Sequence, residues 1–187
     1  MDYSLSKRTA TVYGIRIKKP ESTWADITIE EWEHGGSFKC VSDYGNYSYI
    51  WNSIGERNLR EFLSGLSMDY FMGKATTHDF QEFDAQLTME SIRREILYER
   101  QHGGLTKDEA RECWDEAQEG NDLAESERSD VFWARMEHSA ILQYMYDGER
   151  CDVDTRERVK PQCKGFWDII WPVACEIWRD ELKQLAA

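Results

Sequence analysis

Acidic side chains recur at helical spacing in one short part of the chain. The members of this row, at i, i+4, i+7 and i+11, are Asp108, Glu112, Asp115 and Glu119. An α-helix rises about 1.5 Å per residue, so neighbours in such a row lie about 5–6 Å apart along the helix. Because the phosphates of a nucleic acid have comparable spacings, the row could occupy a basic groove that normally holds phosphates.

The sequence around the row also predicts the helix that carries it. Thr106 and Glu109 have the spacing of a capping box, which starts a helix. An apolar stripe through Cys113 and Trp114 gives that helix a face to bury. We therefore predict a helix over 106–119. The predicted partner-binding residues are Asp108, Glu109, Glu112, Asp115, Glu116, Glu119 and Asp122.

The charge of the whole chain limits its partners. The 187 residues include 36 Asp and Glu against 23 Lys and Arg, a net charge of −13. Direct binding to nucleic acid or to an anionic membrane is therefore not expected, since both need a basic surface. Segment 105–130 holds ten acids and three bases. A second acidic patch is predicted at Glu30, Glu31 and Glu33.

An acidic helix face has an ordinary alternative explanation. Such faces usually keep a soluble protein solvated and have no partner. Like charges at i, i+4 do repel each other by a few tenths of a kcal/mol, which is a modest indication of function. The row alone leaves both explanations open.

A small catalytic or ligand-binding site is the second hypothesis. His78, Asp79 and Glu82 lie close in sequence, and a carboxylate beside an imidazole can orient it as a general base. Neighbouring His-Asp pairs also arise by chance. The chain has no Gly-rich phosphate loop, nucleophile elbow or metalloprotease motif. We expect no enzyme activity, no cofactor and no metal.

Aromatic residues form the other part of this second hypothesis. They are Tyr44, Tyr47, Tyr49 and Trp51. On the face of a sheet, aromatic rings can stack nucleic acid bases. They more often pack beneath helices, and Lys39 is the one positive charge nearby in sequence. Packing in the core is therefore the favoured interpretation.

The first third of the chain predicts an antiparallel β-meander. Alternating or β-branched runs separated by Gly-containing turns predict strands at 10–17, 25–32, 37–42 and 47–51. Apolar spacing then predicts helices at 58–66, 88–102, 106–119, 131–146 and 165–185. In helix 88–102, Met89, Ile92, Ile96 and Leu97 are predicted to face inward. The short aromatic segment 69–72 receives no assignment.

The predicted fold class is α+β, a small N-terminal antiparallel sheet packed with a larger helical part. The predicted domains are 1–75, the sheet with a covering helix, and 76–187, a helical subdomain. Pro172 is expected to kink the last helix or to mark its first turn. The five cysteines form no Cys-x-x-Cys pair, and reduced thiols in a cytosol are the simplest expectation.

Four short motifs within residues 25–74 indicate a family: Asp26–Ile29, Ser42–Tyr47, Tyr49–Trp51 and Phe62-Leu63. In these motifs the segment resembles small proteins carried by bacteriophages and prophages. The resemblance implies an accessory phage gene acting in the host bacterial cytoplasm, and many such genes counter host defences. It brings no catalytic residues with it.

The leading hypothesis joins the resemblance to the acidic row. It is a non-enzymatic inhibitor of the anti-CRISPR type, whose acidic helix binds a basic nucleic-acid-binding surface of a host defence complex, in the first place a CRISPR effector. The second hypothesis is the small enzyme or ligand-binding protein described above. A phage protein that acts on host regulation, or that assembles with other phage proteins, is a third.

Overall fold

The chain folds as two units, one of them inserted in the sequence of the other. The computed structural model describes residues 1–5, 7–18, 22–118 and 120–185. Unit 1 comprises Met1–Phe80 and Val159–Ala187, and unit 2 comprises Gln81–Arg158. This division differs from the predicted boundary after residue 75, because the C-terminal helical segment belongs with the sheet.

Unit 1 is built on a four-stranded antiparallel sheet. Its strands are β1 (Thr11–Ile17), β2 (Thr23–Trp32), β3 (Gly35–Ser42) and β4 (Gly45–Trp51), paired in the order β1-β2-β3-β4. Along β2, Ala25, Ile27 and Ile29 are buried, whereas the side chains between them are partly exposed. This period of two puts one face of the sheet in the core. The predicted meander and the α+β class are confirmed.

The remaining elements are mostly helical. The helices are α1 (Leu59–Ser64), α2 (Met68–Ala75), α3 (Ala85–His102), α4 (Lys107–Glu116), α5 (Ser129–Met136), α6 (Ala140–Met145), α7 (Pro161–Gly165) and α8 (Trp171–Leu185). A π-helical segment, Phe166–Ile170, joins α7 to α8, and a 3₁₀ turn spans Arg150–Asp152. Two short strands, β5 (Gln81–Phe83) and β6 (Glu157–Val159), pair with each other.

The C-terminal helical segment completes the core of unit 1. Phe166, Trp171 and Trp178 are buried against residues from the sheet, α1 and α2. The ring of Trp171 lies 4.3 Å from that of Phe71 and 5.7 Å from that of Phe38, measured between centroids. Burial of several large aromatic side chains explains why this segment packs on the sheet.

The irregularity expected at Pro172 lies just before it. The N–H of Trp171 donates to the carbonyl of Phe166, five residues earlier, so the helix is locally wider than an α-helix. Pro172 has no N–H to donate, and inside a helix proline distorts the hydrogen-bond ladder. Gly165 and Trp171, on either side of the π-helical segment, both have helical backbone angles, so Pro172 lies within one continuous helical run and not at a new helix start.

Unit 2 has a separate core formed by α3 to α6. Met89, Ile92, Cys113, Phe132 and Ile141 are among its buried side chains. Leu97, however, is 49% exposed, so the prediction that it faces inward is wrong. No helix among the described residues has the length and apolar character needed to cross a membrane.

The predicted central helix 131–146 is wrong as one continuous element. The chain forms α5 and α6 with a turn between them, because Ser139 caps the second helix. Its hydroxyl accepts from the N–H of Leu142 (3.1 Å) and donates to the carbonyl of Met136 (2.8 Å). One side chain thus ends one helix and begins the next.

Candidate functional site

The capping box at the start of α4 is formed as predicted. The Thr106 hydroxyl accepts from the N–H of Glu109 (3.3 Å), and the Glu109 carboxylate accepts from the N–H of Thr106 (2.8 Å). These hydrogen bonds lower the pKa of the Glu109 carboxyl. The cap fixes the first turn of α4 and therefore the direction in which its other acids point.

The outer face of α4 carries an exposed row of acids. Asp108, Glu112 and Asp115 are exposed, whereas Ala110 and Cys113 are buried on the inner side. We call these three acids the acidic row. Glu119, predicted as its fourth member, lies outside the described residues. Asp122 is exposed in the turn after the helix.

Other acids predicted to bind a partner make contacts within unit 2. Glu109 belongs to the cap, and Glu116 accepts from the N–H of Ile141 at the start of α6 (3.4 Å). Their side of α4 is partly buried. The carboxylate of Glu112 raises the pKa of the phenol of Tyr144, so it too faces a neighbour while remaining exposed. Glu109 and Glu116 thus help to hold the helix in place.

The acidic row forms no ion pair with any described residue. Among the described residues, no Lys, Arg or His nitrogen lies within 4.0 Å of a carboxylate oxygen of Asp108, Glu112 or Asp115. Unit 2 as a whole contains 21 Asp and Glu against 10 Lys and Arg, which gives it 11 of the 13 net negative charges. The row is therefore an exposed, negatively charged surface of a unit whose net charge is strongly negative.

The structure divides the second acidic patch. Glu30 pairs with Arg8 (3.0 Å). The carboxylate of Glu31 pairs with Arg60 and accepts from the N–H of Leu59 at the start of α1 (3.0 Å). Glu33 lies in the exposed turn between β2 and β3. Because successive strand residues point to opposite faces, Glu30 and Glu31 do not form one surface.

The two carboxylates of the predicted catalytic site are paired with cations, and its histidine is exposed. Asp79 pairs with Lys160 in unit 1, and Glu82 pairs with Arg158 (2.9 Å) in unit 2. His78 is exposed in the turn after α2 with a φ of 68°. Its N–H donates to the carbonyl of Gly73 (2.8 Å), which closes that helix end. The two carboxylates are thus held by cations rather than directed at the imidazole.

The aromatic side chains of the sheet lie mainly in the core, as the favoured interpretation predicted. Tyr47 and Trp51 are buried, and Tyr49 packs edge-on against Trp51 at 4.8 Å. The ring of Tyr47 lies 4.4 Å from that of Phe166. Burial raises the pKa of the Tyr47 phenol. Tyr47 and Trp51 therefore have no free ring face for a base to stack on.

Comparison with known proteins assigns the chain to a family. A family model described as a phage family, Phage_phiTE_072, matches residues 5–180. The chain belongs to this phage family. No curated protein and no solved structure matches it. The phage setting predicted from the sequence is thus confirmed.

One surface of the phage protein was not identified from the sequence. Leu97, Arg100, Lys107, Arg111 and Trp114 line a groove between α3 and α4. In α3, Leu97 and Arg100 are three residues apart. In α4, Lys107, Arg111 and Trp114 follow i, i+4, i+7, so helical spacing was the available signal. In α4 these cations are outnumbered by acids, so their spacing is less evident in the sequence.

Metal binding has no support from clustered ligands. Within 1–5, 7–18, 22–118 and 120–185, no three His, Cys, Asp or Glu side chains are arranged to hold an ion.

Proposed function

We propose that this phage protein is a non-enzymatic inhibitor of a host defence complex that handles nucleic acid, in the first place a CRISPR effector. It binds by placing the acidic row of α4 against Lys and Arg residues that otherwise hold phosphates. Membership of a phage family supports the setting. The charge distribution of unit 2 supports the mode of binding.

One observation carries the proposal. Asp108, Glu112 and Asp115 are exposed on a capped helix, and no cation of the described chain pairs with them. Keeping three like charges in line has an energetic cost, and internal Lys or Arg partners would offset it. A basic surface supplied by another molecule offsets it instead. The row then binds without first breaking an internal ion pair.

The structure narrows the set of residues proposed to contact the target. Glu109 and Glu116 hold the helix, so we assign them a positioning role. Asp108, Glu112 and Asp115 form the contact surface, and Asp122 extends it beyond the end of α4. Association between such a row and a basic groove is fast and weakens at high salt concentration.

The test is restoration of plasmid transformation in a host whose CRISPR system targets that plasmid. The wild-type protein is expected to restore transformation and to bind the purified effector. The triple variant Asp108→Lys, Glu112→Lys, Asp115→Lys is expected to bind at least about 100-fold more weakly, because each reversal turns an attractive contact into a repulsive one.

The matched control reverses three other exposed acids, Glu56, Glu149 and Glu157, which also lack ion pairs within the described chain. It changes the net charge equally and should inhibit like the wild type. Equal inhibition by the α4 variant would exclude the acidic row as the contact surface. If the wild type restores transformation against none of the host's CRISPR systems, the proposed target is wrong.

The enzyme or ligand-binding hypothesis stays a prediction with less geometric support. Asp79 and Glu82 are paired with Lys160 and Arg158, and Tyr47 and Trp51 are core residues. No observation on these residues favours it over the acidic row.

A further inference from the structure

The α3–α4 groove is a surface of opposite character to the acidic row. We use this name for the depression lined by Leu97, Arg100, Lys107, Ala110, Arg111 and Trp114. Its volume is about 320 Å³, and an adjoining depression of about 560 Å³ shares Leu97 and Trp114 with it. The two depressions therefore lie next to each other along α3 and α4.

The groove exists because α3 and α4 run back alongside each other. The short connection after His102 turns the chain, and the guanidinium of Arg93 donates to the carbonyl of Ala117 (2.9 Å) near the far end of the pair. Two helices packed side by side leave a furrow between them, into which a third helix can fit. All these residues belong to unit 2.

The floor of the groove is apolar and accessible. Leu97 is 49% exposed, whereas Met89, Ile92 and Ile96 on the core face of the same helix are buried. Trp114 is partly buried beside it. An exposed aliphatic and aromatic pair at the bottom of a furrow is typical of a site for apolar anchor residues.

Three cations lie at the rim of the groove, and none of them forms an ion pair with a described residue. Among the described residues, Arg100, Lys107 and Arg111 have no carboxylate oxygen within 4.0 Å. Covering three cations with an apolar partner would remove them from water without compensation. An occupant must therefore bring carboxylates as well as apolar side chains. Asp115, at the edge where the groove meets the acidic row, is the nearest acid of α4.

We propose that the α3–α4 groove binds an acidic amphipathic helix of a partner protein. Its apolar stripe packs on Leu97 and Trp114, and its carboxylates pair with Arg100, Lys107 and Arg111. The residues of α3 that line the groove and its adjoining depression run from Glu90 to Arg100, about three helical turns, so a partner helix of about 12 residues spans them. This inference goes beyond the proposed function, because it uses a different surface and a partner of opposite charge.

A nucleic acid fits the same groove less well. Its phosphates would continue past the three cations to Asp108, Glu112 and Asp115 on the same helix. The unit around the groove carries 11 net negative charges, which repel a polyanion. A short helix with a few carboxylates ends before the acidic row and carries less charge, so both penalties are smaller for it.

The test selects binders from a yeast-displayed library of random peptides of about 12 residues, with the full-length protein as bait. Enriched peptides are expected to combine apolar residues at i, i+3 or i+4, and i+7 with Asp and Glu between them. Synthetic versions are then titrated by fluorescence anisotropy. The variant Arg100→Glu, Arg111→Glu is expected to weaken their binding by about 100-fold.

Two further variants test whether peptide binding depends specifically on the α3–α4 groove. Leu97→Glu changes a half-exposed position and should abolish binding while circular dichroism and thermal unfolding remain close to wild type. The control Arg128→Glu, Lys183→Glu changes two exposed cations that pair with Asp130 and Asp180, and it should bind like the wild type. It matches the charge change of the Arg100 and Arg111 variant.

Three outcomes overturn the inference. One is the absence of an enriched peptide class that depends on Leu97, Arg100 and Arg111. Another is tighter binding of a labelled oligothymidylate than of any peptide, with loss in the same variants, which assigns the groove to nucleic acid. The last is a dimer, seen by sedimentation, that the Arg100 and Arg111 variant dissociates, which assigns the groove to a second copy of the chain.

Discussion

At the scale of single residues, acids of similar sequence context have different tasks. Glu109 closes a capping box and Glu116 contacts the start of α6, whereas Asp108 and Asp115 point away from the unit. The sequence predicted the capping box because its two partners are local. It could not predict the contact of Glu116 with Ile141, which depends on how two helices pack.

The cysteines give a prediction at this scale. Cys40, Cys113, Cys163 and Cys175 are buried, and Cys151 is exposed. Burial raises the pKa of Cys40 to about 12 and, together with nearby Glu116 and Glu112, that of Cys113 to about 11. Because the thiolate is the reactive form, the native protein should react rapidly through Cys151 alone near pH 8.

Titration with Ellman's reagent measures this directly. One equivalent should react quickly in the native protein and five after unfolding in urea. The fast phase should disappear in Cys151→Ser. Rapid reaction of two or more thiols in native Cys151→Ser would contradict the burial of the other four. Raising the pH toward 11 should increase the thiolate fraction of Cys113, as the sign of its pKa shift requires.

At the scale of elements, the strands and helices that could be predicted were those whose sequence repeats over a short period. The strands were predicted from apolar and polar side chains that alternate along the chain, and α4 was predicted from its cap and apolar stripe. The segment Met68–Ala75 lacked a clear stripe, yet Ser67 caps it as a helix. The turn between α5 and α6 at Ser139 was not predicted. It lies within a nearly continuous apolar run, and one cap residue changes the apolar spacing of such a run very little.

Two glycines inside helical segments should respond oppositely to the same change. A Cβ at Gly165 would lie 2.6 Å from Cδ1 of Tyr44, well inside van der Waals contact. Gly165→Ala should therefore lower the free energy of unfolding by about 1–3 kcal/mol, although alanine favours helices. A Cβ at Gly73 would lie 3.3 Å from the exposed side chain of His78, which has room to move. Gly73→Ala should be neutral or stabilising by up to about 1 kcal/mol.

Urea unfolding followed by circular dichroism distinguishes the two effects. Both glycines belong to unit 1, so they report on the same core. The double variant Tyr44→Ala, Gly165→Ala should be less destabilised than the sum of its single changes, since removal of the ring makes room for the methyl group. A stabilised Gly165→Ala protein would show that the Tyr44 ring does not pack there.

At the scale of the whole molecule, the insertion of unit 2 leads to a further prediction. The N–H of Lys160 donates to the carbonyl of Phe80 (2.9 Å), so the chain leaves and re-enters unit 1 at one place. Replacing residues 81–158 with a Gly-Ser linker of about four residues should leave unit 1 folded. The separate core of unit 1 supplies the physical reason.

Near-UV circular dichroism of the buried tryptophans is the readout. The linked protein should keep the signal of Trp51, Trp171 and Trp178, which are all in unit 1. A chain ending at Arg158, which lacks the C-terminal helical segment, should lose it. Loss of the signal in the linked protein would show that unit 1 depends on unit 2 for its fold.

Which chain segments belong to each of the two units could not be predicted from the sequence. Local patterns assign 165–185 to a helix, and proximity in sequence then places it with the other helices. Its large apolar side chains pack instead on a sheet encoded more than a hundred residues earlier, and no periodicity reports such a distant partner. The same limit applies to the α3–α4 groove, whose two sides come from different helices.

The discontinuity of unit 1 also has a consequence during synthesis. The ribosome releases the sheet first, unit 2 next, and Phe166, Trp171 and Trp178 last. Until then the apolar face formed by residues such as Ile27 and Phe38 lacks a large part of its cover, while unit 2 already has its entire sequence available. The nascent sheet is therefore the part of this protein most exposed to chaperones and to aggregation during synthesis.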